Sequence, residues 1–267
     1  MPARHNARVK PIPAPPSPDE PVGLAPHAPL TRYYHDEEEH LRFLREMFDG
    51  TAPDYDRVER MLAFGTGPWY RRQALRRAGL VPGMEVLDVG TGTGLVAREA
   101  LTLIGPTGRV TGVDPSAGMM AQAKLADVTL LQGRAEDLPC GDATTDFVTM
   151  GYALRHLSDL DRALSEFLRV LRPGGKLVIL EITKPQGRIA TLALKGYMRA
   201  VVPMAARLVT RSADTATLWR YYWDTIEACI PAERVLDAMR RAGFIDVGHY
   251  VELGLFYEYT ARKPNVA

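Results

Sequence analysis

The stretch Glu85-Val-Leu-Asp-Val-Gly-Thr-Gly-Thr-Gly94 decides the fold. A short β-rich run ends in three alternating glycines and passes directly into the helical pattern that starts at Leu95. Without a Cβ, backbone at such a turn can approach a bound nucleotide closely. Around it, β-rich runs at Glu85-Val89, Arg109-Val113, Val128-Gln132, Phe147-Met150 and Lys176-Ile182 alternate with helical patterns. That alternation predicts βαβ units, hence an α/β, doubly wound, mostly parallel sheet with helices on both faces. Two further runs, Ile245-Val251 and Leu255-Arg262, are close enough to pair as an antiparallel hairpin across Glu252-Gly254.

Asp114 follows Gly94 by twenty residues, at the end of the second run, where an acidic side chain accepts hydrogen bonds from ribose hydroxyls. A dinucleotide is one candidate ligand, laid with its pyrophosphate on the helix N-terminus. The spacing argues against it. The glycines run G-x-G-x-G with Leu95 next, and Asp88 stands two residues before Gly90, close to where a phosphate would sit. A cofactor carrying a sulfonium and an ammonium group, S-adenosylmethionine, favours that carboxylate.

Further from the turn, nine of the 20 prolines lie within residues 1–30, which have almost no periodic apolar pattern and are expected to form a disordered tail adding nothing to the core. Thr31 is expected to cap a helix whose acidic first turn is Asp36-Glu39 and whose apolar stripe is Leu41, Leu44, Met47 and Phe48. Residues 31–267 are read as one domain, with N-terminal helices over 31–80 and a helical insertion over 188–230. Pro231 is placed to start a further helix that Gly243 stops.

Composition limits the function classes. The chain is 46% hydrophobic and 24% charged, ordinary for a globular protein, and its 33 Lys+Arg against 32 Asp+Glu give +1, with no electrostatic reason to expect nucleic acid. Only Cys140 and Cys229 are present, so no disulfide framework is expected. The first residues contain no continuous apolar run of the secretory kind. Ile189-Thr210 is apolar but carries Lys195, Arg199, Arg207 and Pro203, which makes a membrane span costly. A cytoplasmic location is expected, with peripheral membrane contact open. His35-Asp-Glu-Glu-Glu-His40 has its histidines five apart, not the four of a zinc helix, so no metal is expected.

Beyond these readings, the chain resembles the class I S-adenosylmethionine-dependent methyltransferases, and within them the branch that methylates ubiquinone and menaquinone precursors. The resemblance runs from about Met47 to Arg262 and is carried by MFDGTAPDYD, LDVGTGTG, GVDPS, AEDLP, ALRH, RVLRPGGKLVILEIT and AGF. It implies a Rossmann-like, seven-stranded sheet. It also implies that Gly90, Gly92 and Thr93 surround the methionine portion of the cofactor beside Asp88, that Asp114 holds its ribose, and that Arg134, Ala135 and Gly151 lie near the adenine and the fourth strand's end. Arg134 stands where the family usually has Asp or Asn, and Gly151 where it often has Ser.

The acceptor side departs further. The family's Tyr-Asp-x-Met-Asn, then Ser, His and Trp, is here Tyr55-Asp56-Arg57-Val58-Glu59, then Ala63, Gly67 and Tyr70, while Leu154-Arg155 is followed by His156 in place of Asn. The expected acceptor is a small phenolic or quinone-like molecule, either free or prenylated. Two other readings stand beside it: a methyltransferase of specialised metabolism, and a non-catalytic cofactor-binding subunit. Arg155 is a candidate to stabilise a phenolate and His156 to accept a proton near neutral pH, unless His156 caps a helix or faces solvent. Tyr55 is a candidate to order over the methionine moiety or simply to pack. Tyr221, Tyr222 and Trp223 line either an acceptor pocket or the core.

Overall fold

The computed structural model describes residues 23–63, 65–185, 187–204 and 213–265. Seven strands, β1 Glu85–Val89, β2 Arg109–Asp114, β3 Val128–Gln132, β4 Thr145–Gly151, β5 Leu171–Ile182, β6 Ile245–Glu252 and β7 Phe256–Arg262, form one sheet in the order β3-β2-β1-β4-β5-β7-β6. The first five run parallel, and β7 lies antiparallel between β5 and β6. Strand order reverses between β1 and β4, so their carboxyl ends open the crevice where ligands of such sheets bind.

The central strands are hydrophobic on both faces because both are covered. Val86, Phe147, Val178 and Leu180 face a core built with α2 (Gly67–Arg77) and α3 (Leu95–Ile104). Leu87, Val148, Leu177 and Ile179 face another built with α5 (Leu160–Val170) and Ala232–Arg241. β5 begins earlier than its apolar run, since Leu171 pairs with Thr145 before Arg172-Pro-Gly-Gly175 bulges and Lys176 resumes the register opposite Phe147. The hairpin turns at Leu253-Leu255, one residue later than the spacing implies.

A third core sits over the carboxyl ends of the strands. It is made by α1 (Glu37–Leu62), α6 (Arg188–Gly196) with the wider turn Tyr197–Val201 after it, and α7 (Ala213–Ala228), through Leu44, Met47, Val58, Met198, Val202 and Trp223. The N-cap of α1 is Asp36 and not Thr31: the Asp36 carboxylate accepts from the Glu39 N–H at 2.8 Å, and Glu37-Glu39 form its acidic first turn. α4 (Ala117–Gln122) follows β2, and α8 (Ala232–Arg241) starts after Pro231.

The expectation that residues 1–30 add nothing to the core does not hold for the described part. Leu24 packs on the sheet core, its N–H donates to Asp161 at 3.3 Å and its carbonyl accepts from Leu160, while His27 is buried. The groups that hold Leu24 and His27 include Leu160 and Asp161 of α5 and His40 of α1, all distant in sequence from the residues they hold, so no local periodicity marks them. Residues 1–22 lie outside the described residues.

Candidate active site

Gly90, Gly92 and Gly94 adopt φ of +68°, +54° and +80°, the left-handed region that costs a side chain about 1–2 kcal/mol. A Cβ at Gly90 would lie 2.8 Å from the Cβ of Ala153, and one at Gly94 would lie 2.4 Å from Leu125 Cδ1. The turn is therefore bent, glycine-lined, and pressed against Ala153, two residues after β4. Asp88 accepts from Thr91 Oγ1 at 2.7 Å with one carboxylate oxygen; its other oxygen is buried without a partner of full hydrogen-bond geometry among the described residues, the Ala97 N–H in the first turn of α3 being its nearest backbone donor. Burial pushes the Asp88 carboxyl up to about 7. Asp114 accepts the Gly92 N–H at 2.7 Å and the Ser116 N–H at 2.8 Å, and burial raises its carboxyl to about 6.

These residues fit the cationic nucleoside cofactor. The glycine cradle would be filled by any Cβ, Asp88 has a buried oxygen with lone pairs left for a cation, and Asp114 keeps lone pairs for hydroxyls. Thr93, expected in the same turn, is buried and donates to Asp56 of α1 at 2.5 Å. Asp49, seven residues before Asp56 and so on the same helix face, accepts from Ser116 Oγ at 2.5 Å and from the Gly118 N–H at 2.9 Å. α1 thus fastens over both ends of the cofactor crevice. Sequence reasoning missed Asp49 and Asp56 as contacts, although both lie in MFDGTAPDYD at a two-turn spacing.

Arg134, expected near the adenine, has its guanidinium at 3.3 Å from Glu37 of α1, 3.3 Å from Ser158 and 3.4 Å from Glu136. Ala135 is buried in the sheet-face core. At Gly151 a Cβ would meet Val96 Cγ2 at 2.5 Å, so the bulk of Val96 occupies the room a serine needs.

On the acceptor side Arg155 is wholly buried, bonded through Nη1 to Glu181 and through Nε to Thr225 at 3.1 Å, with its guanidinium 4.5 Å from the Tyr222 ring centroid. Its Nη2 has no partner among the described residues. Burial raises the Glu181 carboxyl against the pull of Arg155. Tyr55 and Tyr222 share a hydroxyl hydrogen bond of 2.8 Å, and burial pushes the Tyr55 phenol well above its ordinary value.

His156 neither caps a helix nor faces solvent. Asp159 caps α5, and the His156 ring lies among Phe48, Tyr221 and Tyr222 with both nitrogens sealed. Burial first, then the Arg155 charge, drives its pKa well below 6.5, so it is a neutral hydrogen-bonding group and a weak base. Tyr221, Tyr222 and Trp223 are all buried in the core over the strand ends. Glu59 and Gly67, two of the departures, are coupled: Arg71, itself 2% exposed, pairs with Glu59 at 2.7 Å, and a Cβ at Gly67 would crowd that pair. No histidine, cysteine or carboxylate cluster able to hold a metal occurs among the described residues.

A family model described as the ubiE/COQ5 methyltransferase family matches residues 35–256. The chain belongs to this family. Among curated relatives, the ubiquinone/menaquinone biosynthesis C-methyltransferase UbiE of Shewanella halifaxensis is 34% identical over 211 residues, covering 76% of this chain and 83% of that one. The demethylmenaquinone methyltransferase of Symbiobacterium thermophilum is 32% identical over 222 residues, covering 79% and 88%. A solved S-adenosylmethionine-dependent methyltransferase from Aquifex aeolicus shares the fold, with a TM-score of 0.53, 24% identity, and coverage of 72% of this chain and 88% of that chain. As a member of the ubiE/COQ5 family the protein is an S-adenosylmethionine-dependent methyltransferase, and the resemblance read from its motifs is borne out. Among the described residues no helix is long and apolar enough to cross a membrane.

Proposed function

We propose that this enzyme methylates a ring carbon of a phenolic, quinone-like acceptor, with Arg155 as the residue that stabilises the reacting form. The observation that carries this is the free Nη2 donor of a fully buried guanidinium four residues after β4, in the segment whose Ala153 packs on the glycine turn. When bound, S-adenosylmethionine supplies an electrophilic methyl group on a positively charged sulfur. The chain's own task is to bind, align and exclude water. A donor fixed in a dry site favours negative charge on the acceptor's ring oxygen, which makes the adjacent carbon nucleophilic. Tyr55 and Tyr222 hold the ring's plane beside Arg155, and His156, being neutral, accepts a hydrogen bond from a ring hydroxyl. Asp88, Gly90, Gly92, Thr93 and Asp114 hold the cofactor, closed in by Asp49 and Asp56 of α1.

A lipid-soluble acceptor fits α6. Leu194, Tyr197 and Met198 back the aromatic core, whereas Ile189 and Leu192 are 87% and 70% exposed. Such a helix lies in a membrane interface with its apolar face inward, which supports peripheral contact. Glu59, standing where the family has Asn and paired here with Arg71, favours an acceptor ring substituted differently from those of the relatives.

The test is transfer of labelled methyl to prenylated hydroquinones by the full chain, with Arg155→Lys beside it. Methylated ring carbon in the wild type and a loss of at least about a hundredfold in kcat for the variant are expected. Label on no hydroxylated ring would overturn the reading.

A further inference from the structure

Buried polar side-chain atoms in folded proteins nearly all have hydrogen-bond partners. Over the carboxyl ends of the strands six residues break or strain this pattern together. His27 Nε2, His40 Nε2, Arg155 Nη2 and both His156 ring nitrogens are buried without partners among the described residues, and Tyr34 Oη and Tyr221 Oη face each other without full hydrogen-bond geometry. Leaving each dry costs about 1–3 kcal/mol, too much for such atoms to accumulate in one place without a purpose. Five of the six residues are no more than 7% exposed, with His27 at that limit and Arg155 and Tyr221 at zero.

The rings are contiguous. His40 stacks on Tyr34 with centroids 4.2 Å apart and meets His27 edge-on at 6.4 Å. Phe43 bridges Tyr34 at 6.0 Å and Tyr221 at 5.1 Å, and Tyr221 stacks on His156 at 5.6 Å. The N-terminal segment therefore extends the wall that starts at Arg155 beside the cofactor turn.

The atoms define what they would bind. His27 Nδ1 lies 2.8 Å from the Ala28 carbonyl, which can only accept, so in the neutral ring Nδ1 carries the hydrogen and Nε2 is an acceptor. Arg155 Nη2 can only donate, and the tyrosine hydroxyls do either. Arg155 is balanced by Glu181, and burial keeps His40 at about 4 and His156 well below 6.5. Arg155, His40 and His156 therefore offer no net charge, and this part of the wall disfavours a carboxylate or phosphate, whose desolvation it cannot offset. A neutral ring carrying hydroxyl groups satisfies both its donors and its acceptors.

We propose that His27, Tyr34 and His40 form a specificity wall that reads the oxygen substituents of the acceptor ring, selecting neutral hydroxylated rings over bare and over carboxylated ones. This rests on the phenolic-acceptor reading. The family match spans residues 35–256, so His40 lies within it and His27 and Tyr34 just ahead of it.

The test is calorimetric binding of 1-naphthol, naphthalene and 1-naphthoate to the full chain saturated with S-adenosylhomocysteine, for wild type, Tyr34→Phe, His40→Leu and His40→Gln. Wild type should prefer 1-naphthol by about tenfold or more over the other two. Tyr34→Phe and His40→Leu should each remove most of that preference, with naphthalene and S-adenosylhomocysteine affinities unchanged, and His40→Gln should restore part of it. No preference in wild type, an unchanged preference in both truncating variants, or a parallel loss of S-adenosylhomocysteine binding would overturn the wall. The wider reading fails separately: preference for 1-naphthol with label on no hydroxylated ring retains the wall and sinks the methylation of phenols.

Discussion

Replacing Glu181 with Gln tests the buried pair beneath the acceptor site. Arg155 and Glu181 are 0% and 1% exposed, and each is fixed further, Arg155 Nε to Thr225 at 3.1 Å and Glu181 to the Ile182 N–H at 2.8 Å. Glutamine keeps the shape and one acceptor but strands the guanidinium without a counter-charge. Removing one partner of such a pair costs about 3–5 kcal/mol, against a total stability of about 5–15 kcal/mol. At about 2–4 °C per kcal/mol for a chain of this size, the melting midpoint should fall by about 10 °C. The double variant Arg155→Met, Glu181→Leu removes both charges and should recover to within about 1 kcal/mol of wild type while losing methyl transfer. Urea unfolding at pH 7.5, followed by circular dichroism for the three proteins, measures this. A Glu181→Gln loss below about 1 kcal/mol, or a double variant no more stable than the single, refutes the argument from an unbalanced guanidinium.

Asp114→Ala strips acceptors from the Gly92 and Ser116 N–H groups as well as from the ribose, so cofactor affinity measured calorimetrically should fall at least about a hundredfold; an unchanged Kd would sink the assignment. Because burial holds Asp88 at about 7 and the cofactor is cationic, affinity should rise about tenfold from pH 6 to pH 8 and level off above, and a flat profile contradicts the role of Asp88. Gly151→Ser drives its Cβ against Val96 and should destabilise by about 1–3 kcal/mol, with Val96→Ala in the same chain restoring stability; failure of that rescue would show the clash lies elsewhere. His40 is held at about 4 by burial, with the His27 and Arg134 charges adding, whereas in the unfolded chain it titrates near 6.5. Between those values the unfolded state binds more protons, so this contribution is lost as pH falls from about 6.5 towards 4, up to about 3 kcal/mol. His40→Gln should flatten the acid side of the stability profile relative to wild type, and parallel profiles would count against it.

Much of the sheet was legible because strands and turns leave local traces. β1 and β3 begin and end where their β-rich runs do, and Asp114 closes β2. The apolar run marks only the later part of β5, because its first residue pairs ahead of a bulge, and pairing of Leu171 with Thr145 is a property of two segments rather than of either one. Thr31 offers the same capping chemistry as Asp36, but it is the Asp36 carboxylate that meets the Glu39 N–H where α1 begins.

By itself, the sequence determined the doubly wound sheet, the left-handed glycine turn and the acidic ribose site, because backbone geometry at positive φ and at strand ends demands particular residue types at fixed spacings. Tertiary structure alone decided what surrounds them. Asp49 and Asp56 reach Ser116 and Thr93, Arg155 finds Glu181 and Thr225, and His27, Tyr34 and His40 join Tyr221 and His156. Those meetings depend on α1 and α7 docking over the strand ends through apolar burial, a force that many residue types satisfy and that leaves no spacing to read. Burial also reversed one chemical expectation, turning His156 from a base poised near neutrality into a neutral hydrogen-bonding group, since a ring's basicity is set by its solvation and its neighbours' charges.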